Sequence, residues 1–145
     1  MSVGVDNAVL VATDGSDLDP QATARGLVAA ITTLEERDGR FEVRTATSGY
    51  DAGMITHEFR PDVMLLDIDL PGMNGIQMLE ELSPRLPDTK IVMLTVSDSE
   101  RDMIDALARG AAGYLTKDLN PEALLRALRG TQKGELAMSR RHAST

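Results

Sequence analysis

The 145 residues contain no cysteine and no tryptophan, and their aromatic side chains amount to two Phe and two Tyr. Without cysteine there can be no disulfide, no thiolate zinc site and no thiol nucleophile, which fits a reducing cytoplasm. With so few rings, a platform for stacking nucleic-acid bases is not expected. Long apolar runs are missing as well: none approaches the roughly 20 residues of a membrane helix. The start, Met1-Ser2-Val3-Gly4-Val5-Asp6, lacks the basic and apolar regions of a signal peptide. The chain reads as soluble and cytoplasmic, with no membrane partner. Basic residues are in deficit, 15 against 23 acidic ones, for a net charge of -8. That balance argues against direct nucleic-acid binding by this chain and toward chemistry that recruits a cation.

What is present is one domain's worth of alternating patterns, with no internal repeat. Ala8-Val9-Leu10-Val11-Ala12, residues 41–46, Val63-Met64-Leu65-Leu66, Ile91-Val92-Met93-Leu94 and Gly113-Tyr114-Leu115 are apolar runs, each followed by a stretch of helical period. Five strands separated by helices predict an α/β fold, a parallel sheet covered on both faces. Leu27, Val28, Ile31 and Leu34 mark the buried face of the first helix; Met103, Ile104 and Leu107 mark that of the fourth, and Leu124, Leu125 and Leu128 that of the last. Asp19-Pro20 and Asn120-Pro121 read as helix starts, with a capping side chain before a proline at the first helical position. Ser97 with Glu100 reads as a capping box. After Gly130 the apolar period is lost and the chain turns basic, so residues 1–130 are expected to form the domain and residues 131–145 a frayed tail or the start of a linker.

Asp67 ends the third apolar run and is followed by Ile68-Asp69-Leu70-Pro71-Gly72-Met73-Asn74-Gly75, whose Pro-Gly and Asn-Gly pairs predict turns. In an open parallel sheet, the carboxyl ends of the strands are where ligands bind. The ends of strands one, three, four and five bring Asp14, Asp67, Thr95 and Lys117 to one such rim. Two carboxylates held close repel each other unless a cation neutralises them, so Asp14 with Asp67 predicts an oxygen-liganded divalent metal, with Mg²⁺ the natural choice. Lys117 offers a point charge and Thr95 a hydroxyl to phosphoryl oxygens, and backbone amides near Ile68 and Val96 are expected to complete the cradle.

The motifs Val11-Ala12-Thr13-Asp14, Pro61-Asp62-Val63-Met64-Leu65-Leu66-Asp67, Leu70-Pro71-Gly72-Met73-Asn74-Gly75, Leu94-Thr95-Val96-Ser97 and Gly110-Ala111-Ala112-Gly113-Tyr114-Leu115-Thr116-Lys117-Asp118 follow in order. By these the chain resembles a response-regulator receiver domain of two-component signalling over residues 9–130. Thr95-Val96-Ser97 and Lys117-Asp118 are similar to the NarL/FixJ branch, whose members usually continue into a helix-turn-helix that is absent here. The resemblance implies a flavodoxin-like three-layer sandwich with strand order 2-1-3-4-5. It implies that Asp67 takes a phosphoryl group from a sensor histidine kinase. Asp14 and Asp67 would bind Mg²⁺ by side chain and Asp69 by its backbone carbonyl, while Thr95 and Lys117 grip the phosphoryl group. Thr95 and Tyr114 would act as the switch, Tyr114 turning inward and exporting the signal to the fourth helix, fifth strand and fifth helix. The implied protein is a switch and not a turnover enzyme, though it assists its own phosphorylation and dephosphorylation. Its output would be transcription through a DNA-binding domain, with a homodimer forming on activation.

The sequence departs from that pattern in two places. Thr13 replaces the first of two adjacent acids that receivers usually carry, which is expected to weaken Mg²⁺ binding without abolishing it; Asp17 reads as a solvated loop acid. The interval from Asp14 to Asp67 is also longer than is usual, and the extra residues are expected to lengthen the first helix around residues 32–39. Other readings remain open. Thr13 favours a receiver-like adaptor or dimerisation module that is never phosphorylated. Asp67-Ile68-Asp69 also resembles the Asp-x-Asp of haloacid-dehalogenase-type phosphatases, although that motif should open the chain. Val11-Ala12-Thr13-Asp14-Gly15-Ser16 resembles the opening of universal stress proteins, but the late glycine pattern needed for nucleotide phosphates is missing. Tyr114 also fits an ordinary core position, and His57 and His142 read as surface residues.

Overall fold

All five residues of Val63–Asp67 are buried, which a strand achieves only when both faces of its sheet are covered. The computed structural model describes residues 7–12, 41–68, 74–95, 99–116, 121–132, 134–135 and 137–138. Within these, the strands are β1 (Asn7–Ala12), β2 (Phe41–Ala46), β3 (Val63–Asp67), β4 (Lys90–Thr95), β5 (Gly113–Thr116) and β6 (Ala137–Met138). The helices are α1 (Gly49–Glu58), α2 (Gly75–Leu82), α3 (Glu100–Ala108) and α4 (Pro121–Gln132). The stretch expected to form the first helix, with Asp19-Pro20 and residues 32–39, lies outside the described residues, so α3 and α4 are the helices expected as fourth and fifth.

All strand pairs are parallel and the sheet order is β2-β1-β3-β4-β5-β6. The first five follow the expected order 2-1-3-4-5. Side chains alternate between the faces: Leu10, Met64, Leu66, Met93 and Tyr114 join the cores of α1, α2 and α3 on one side. Val9, Val11, Leu65, Val92, Leu94 and Leu115 face Leu124 and Leu128 of α4 on the other. Asp62 aligns the opposite end of the sheet: its carboxylate accepts from the Ala8 amide at 2.8 Å and its carbonyl from the Lys90 amide at 2.9 Å. This acid of the Pro61-Asp62 motif therefore ties β1, β3 and β4 together before the strands begin.

Local chemistry sets the helix boundaries, and three expectations need correction. The side chain of Ser99, not Ser97, caps α3 by accepting from the Asp102 amide at 3.3 Å; Ser97 lies outside the described residues. Ile104 is 60% exposed, and the face of α3 turned to the core is Met103, Ala106 and Leu107. The chain also keeps regular structure beyond Gly130. Helix α4 runs on to Gln132, where the Glu135 amide reaches the Gly130 carbonyl at 2.9 Å and the Gly134 amide the Thr131 carbonyl at 3.0 Å. That pair of bonds, with Gly134 at φ +83°, is a Schellman C-cap, which needs the left-handed backbone that glycine adopts without strain. It turns the chain back toward β5, where Ala137–Met138 add the sixth strand.

Arg109 bridges α3 to α2, bonding Asp105 at 2.8 Å and Glu80 as well. Its guanidinium is held more firmly protonated than usual, first by the hydrogen bond it donates to Asp105. Among the described residues no helix is long and apolar enough to cross a membrane.

Two substitutions separate core from surface. Leu79→Ala, at a fully buried position of α2, is expected to cost about 2–5 kcal/mol. Ile104→Ala is expected to stay within about 0.5 kcal/mol of the parent. Urea unfolding followed by circular dichroism measures both.

Candidate functional site

The register decides which strand ends meet. Ala12 pairs with Leu66, Asp67 with Leu94 and Thr95 with Thr116, so β1, β3, β4 and β5 finish at one edge of the sheet. Asp67 ends the middle strand of the five, with a strand on each side. Its side chain is fully buried, and Thr95, one residue beyond Asp67's partner on β4, is 2% exposed. Four polar residues are buried among those described. Thr56 and Thr131 give their hydroxyls back to their own helices, bonding the Gly53 carbonyl at 2.9 Å and the Leu128 carbonyl at 2.7 Å. The other two are Asp67 and Thr95, on adjacent strands about 4.8 Å apart. Burying a carboxylate is costly unless the surroundings compensate it. Its position at the exit of a central strand marks a site and not a packing accident.

The segment after Asp67 is clamped to the strand end. The Ile68 amide donates to the Leu94 carbonyl at 3.0 Å, and the Ile68 carbonyl accepts from the Gly75 amide at 2.7 Å. The Ile68 amide is thus given to β4, and the neighbouring Asp69 and Val96 amides expected to complete the cradle lie outside the described residues. The Asn74-Gly75 pair is a helix start and not a turn: the Asn74 side chain accepts from the Ile76 amide at 2.7 Å, and Gly75 is the first residue of α2. A Cβ on Gly75 would lie 2.6 Å from the Ile68 Cα and would run into the Asp67 carbonyl oxygen. This close approach was not visible in the sequence beyond the bare glycine. Only hydrogen fits between the start of α2 and the backbone of the candidate nucleophile.

Tyr114 is 0% exposed and lies in the same core as Met93, its register partner. Thr95 is two residues beyond Met93, so alternation puts Thr95 and Tyr114 on one face of neighbouring strands, offset by two residues. The structure thus brings Asp67 and Thr95 to one rim and puts Tyr114 on the face it shares with Thr95, while Asp67 is in register with Leu94, which belongs to the other core. Asp14, Asp69, Lys117 and Val96 lie outside the described residues, and so does Thr13. Thr116, which precedes Lys117 in the sequence, ends β5 beside Thr95. His57 is exposed on α1, as expected of a surface residue, and His142 lies outside the described residues.

Comparison with known proteins agrees with this geometry. The family profile described as "Response regulator receiver domain" matches residues 19–129. The nitrate/nitrite response regulator protein NarL of Escherichia coli K12 is 41% identical over 97 residues, covering 67% of this chain and 45% of that protein. The oxygen regulatory protein NreC of Staphylococcus aureus is 38% identical over 64% of this chain and 43% of its own length. The chain thus spans about half the length of the curated relatives it matches. Among solved structures, the signal receiver domain of a response regulator NarL from Mycobacterium tuberculosis superposes with a TM-score of 0.74 at 28% identity, over 90% of this chain and 99% of that one. A response regulator from Burkholderia pseudomallei, solved with a phosphorylated aspartic acid, calcium ion and citrate, gives 0.71 at 26% identity, over 88% and 70%.

Gly75→Ala tests the close approach. It is expected to lower stability by about 1–3 kcal/mol, because a well-packed backbone must shift to admit the methyl group. Denaturant unfolding measures the loss, and a variant as stable as the parent would contradict the described contact.

Proposed function

This chain belongs to the response-regulator receiver domains, and on that premise we propose that Asp67 is a phosphoacceptor served by a sensor histidine kinase. The observation that carries the reading is the fully buried Asp67 at the exit of the central strand, with the buried Thr95 hydroxyl on the adjoining one. An Asp67 carboxylate oxygen bonds to the phosphorus of the kinase's phosphohistidine as the phosphorus–nitrogen bond breaks, the electron pair leaving with the imidazole. Catalysis of this kind is positioning and charge stabilisation, with no further covalent chemistry for the protein to do. Rigid placement is what β3 supplies, through ladders on both sides and the Ile68 bond to Leu94. Thr95 donates its hydroxyl to one phosphoryl oxygen and Lys117 its ammonium to another.

The donors fit a hard cation: carboxylates and a carbonyl, with no sulfur ligand in a chain without cysteine. Asp14 and Asp67 by side chain and Asp69 by backbone carbonyl would hold Mg²⁺, which when bound offsets the charge gathered on the phosphoryl oxygens. Thr13 in place of an acid lowers the affinity of that site. In the proposed cycle the Thr95 hydroxyl moves to the phosphoryl group and Tyr114 occupies the inward position beside it. The consequence appears at α3, β5 and α4. Phosphorylation adds up to about two negative charges, enough to bias a two-state element. The chain works in the cytoplasm, pairs with a second copy on activation, and passes its signal to transcription through a DNA-binding domain outside these residues. A second reading, favoured by Thr13, is an adaptor that is never phosphorylated. It predicts no change of oligomeric state with beryllofluoride and Mg²⁺.

Intact-mass spectrometry after incubation with acetyl phosphate and Mg²⁺ decides between them. Wild type is expected to gain one phosphoryl mass and Asp67→Ala none. Thr95→Ala is expected to slow the gain about tenfold or more, and chelation of Mg²⁺ to stop it. No added mass on wild type would sink the phosphoacceptor reading.

A further inference from the structure

The sixth strand is unaccounted for by the site. Ala137–Met138 pairs in parallel with β5, Gly113 with Ala137 and Tyr114 with Met138, on the side of β5 away from β4. Without it, β5 would be the edge of the sheet. The residue opposite Met138 is Tyr114, the bulkiest of the fully buried side chains described, and it is held in the core shared with Met93, Ala106 and Ala111. A side chain on an edge strand can swing around the open edge into solvent. One on an interior strand is closed in by its neighbours. Strand β6 lies along the edge of β5 directly beside Tyr114.

Among the described residues the attachment consists of two residue pairs, reached through the Schellman turn at Gly134, and β6 touches α4 as well. Behind the turn lies a cavity of about 400 Å³ between Gly134 and Glu135 on one side and Ser83, Thr89 and Lys90 on the other. It leaves this side of the turn without close packing, and such elements detach at the low end of the stability range.

We propose that residues 137–138, docked on the outer edge of β5, close the opening through which Tyr114 would leave its inward position, so that docking and the inward position of Tyr114 stabilise each other. Deepening the phosphoacceptor reading and resting on it, the inference gives the linkage a sign. Inward Tyr114 accompanies phosphorylation in that reading, and inward Tyr114 accompanies docked β6 in the structure. Phosphorylation of Asp67 thus strengthens β6 docking, and by reciprocity docked β6 favours the phosphorylated state. The chain leading on from Met138 is positioned by the state of the rim.

The test exploits a chain with two tyrosines and no tryptophan. In a Tyr50→Phe background Tyr114 alone emits, so iodide quenching reports its shielding. Replacing Ala137 and Met138 by proline removes the strand's amide donors, and quenching is expected to rise about threefold or more while far-UV circular dichroism stays native. Gly134→Ala, which strains the turn and leaves the strand sequence intact, is expected to move quenching the same way by less, and it serves if the proline pair fails to fold. Unchanged quenching in folded variants overturns the docking linkage. In a second arm, wild type is treated with acetyl phosphate and Mg²⁺ and checked by intact mass. Where the phosphoryl mass is present, amide exchange in the peptide containing residues 137–138 is expected to slow about threefold or more. Unchanged or faster exchange in phosphorylated protein overturns the proposed sign. Absence of the added mass counts against the phosphoacceptor reading, and the quenching arm then decides the docking by itself.

Discussion

The ladder that β3 makes with β1 on one side and β4 on the other fixes the position of everything that bears on the site. A strand buried on both faces tolerates no slip in register, because a shift of one residue would exchange the contents of the two cores. Met64 and Leu66 would trade faces with Val63 and Leu65, and Asp67 would be carried into one of them. The same constraint sets Thr95, since Leu94 is the partner of Asp67 and Thr95 is the next residue along. The two ends of the strand are tied down independently, by the Asp62 carboxylate before it and by the Ile68 bond to Leu94 after it. A buried carboxylate is thereby held where neither backbone nor neighbours can drift, which is the condition that phosphoryl transfer by positioning requires.

The close approach of Gly75 to Asp67 shows how little freedom that condition leaves. Gly75 starts α2 directly against the Asp67 carbonyl, and the Gly75 amide closes onto Ile68. Helix and strand end are thus joined through backbone, without an intervening side chain. Any movement of α2 is felt at the Asp67 backbone, and the reverse holds as well. Asn74 supports the junction by capping the helix at its first turn. The composition acts in the same direction: a net charge of -8 disfavours contact with nucleic acid and favours a cation over an anion.

The strands and their order were legible in the sequence because buried parallel strands are written as continuous apolar runs, and residues 41–46 and 113–116 differ little from what those runs imply. The placement of Asp67 and Thr95 at the ends of adjacent strands followed from the same runs. What failed depended on angles and not on composition. Ile104 was assigned to the core because it is large and apolar, yet the buried centre of α3 is Ala106, a small residue that carries little hydrophobic signal, and Ile104 lies about 160° around the helix from it. Ser97 and Ser99 each stand three residues before an acid, so both fit a cap. Only the rotation that turns Ala106 inward selects Ser99. The tail looked polar because β6 needs only two residues and takes its stability from a neighbour's edge. The close approach of Gly75 to Asp67 is a long-range fact that no local pattern records.

A switch built on so firmly held a centre has to express its change elsewhere. Packed cores do not deform continuously, so a change at Asp67 can be exported only through elements with two acceptable arrangements. Strands β1, β3 and β4 have none: each is paired on both sides and buried. β5 differs, because its outer neighbour is two residues long and is reached through a single left-handed glycine. Tyr114 sits on that strand, on the face it shares with Thr95 and one strand removed from it. In the proposed cycle the route from Asp67 to the surface crosses β4 to β5 and ends at the outer strand β6, where a local change disturbs fewer pairs than it would at β3.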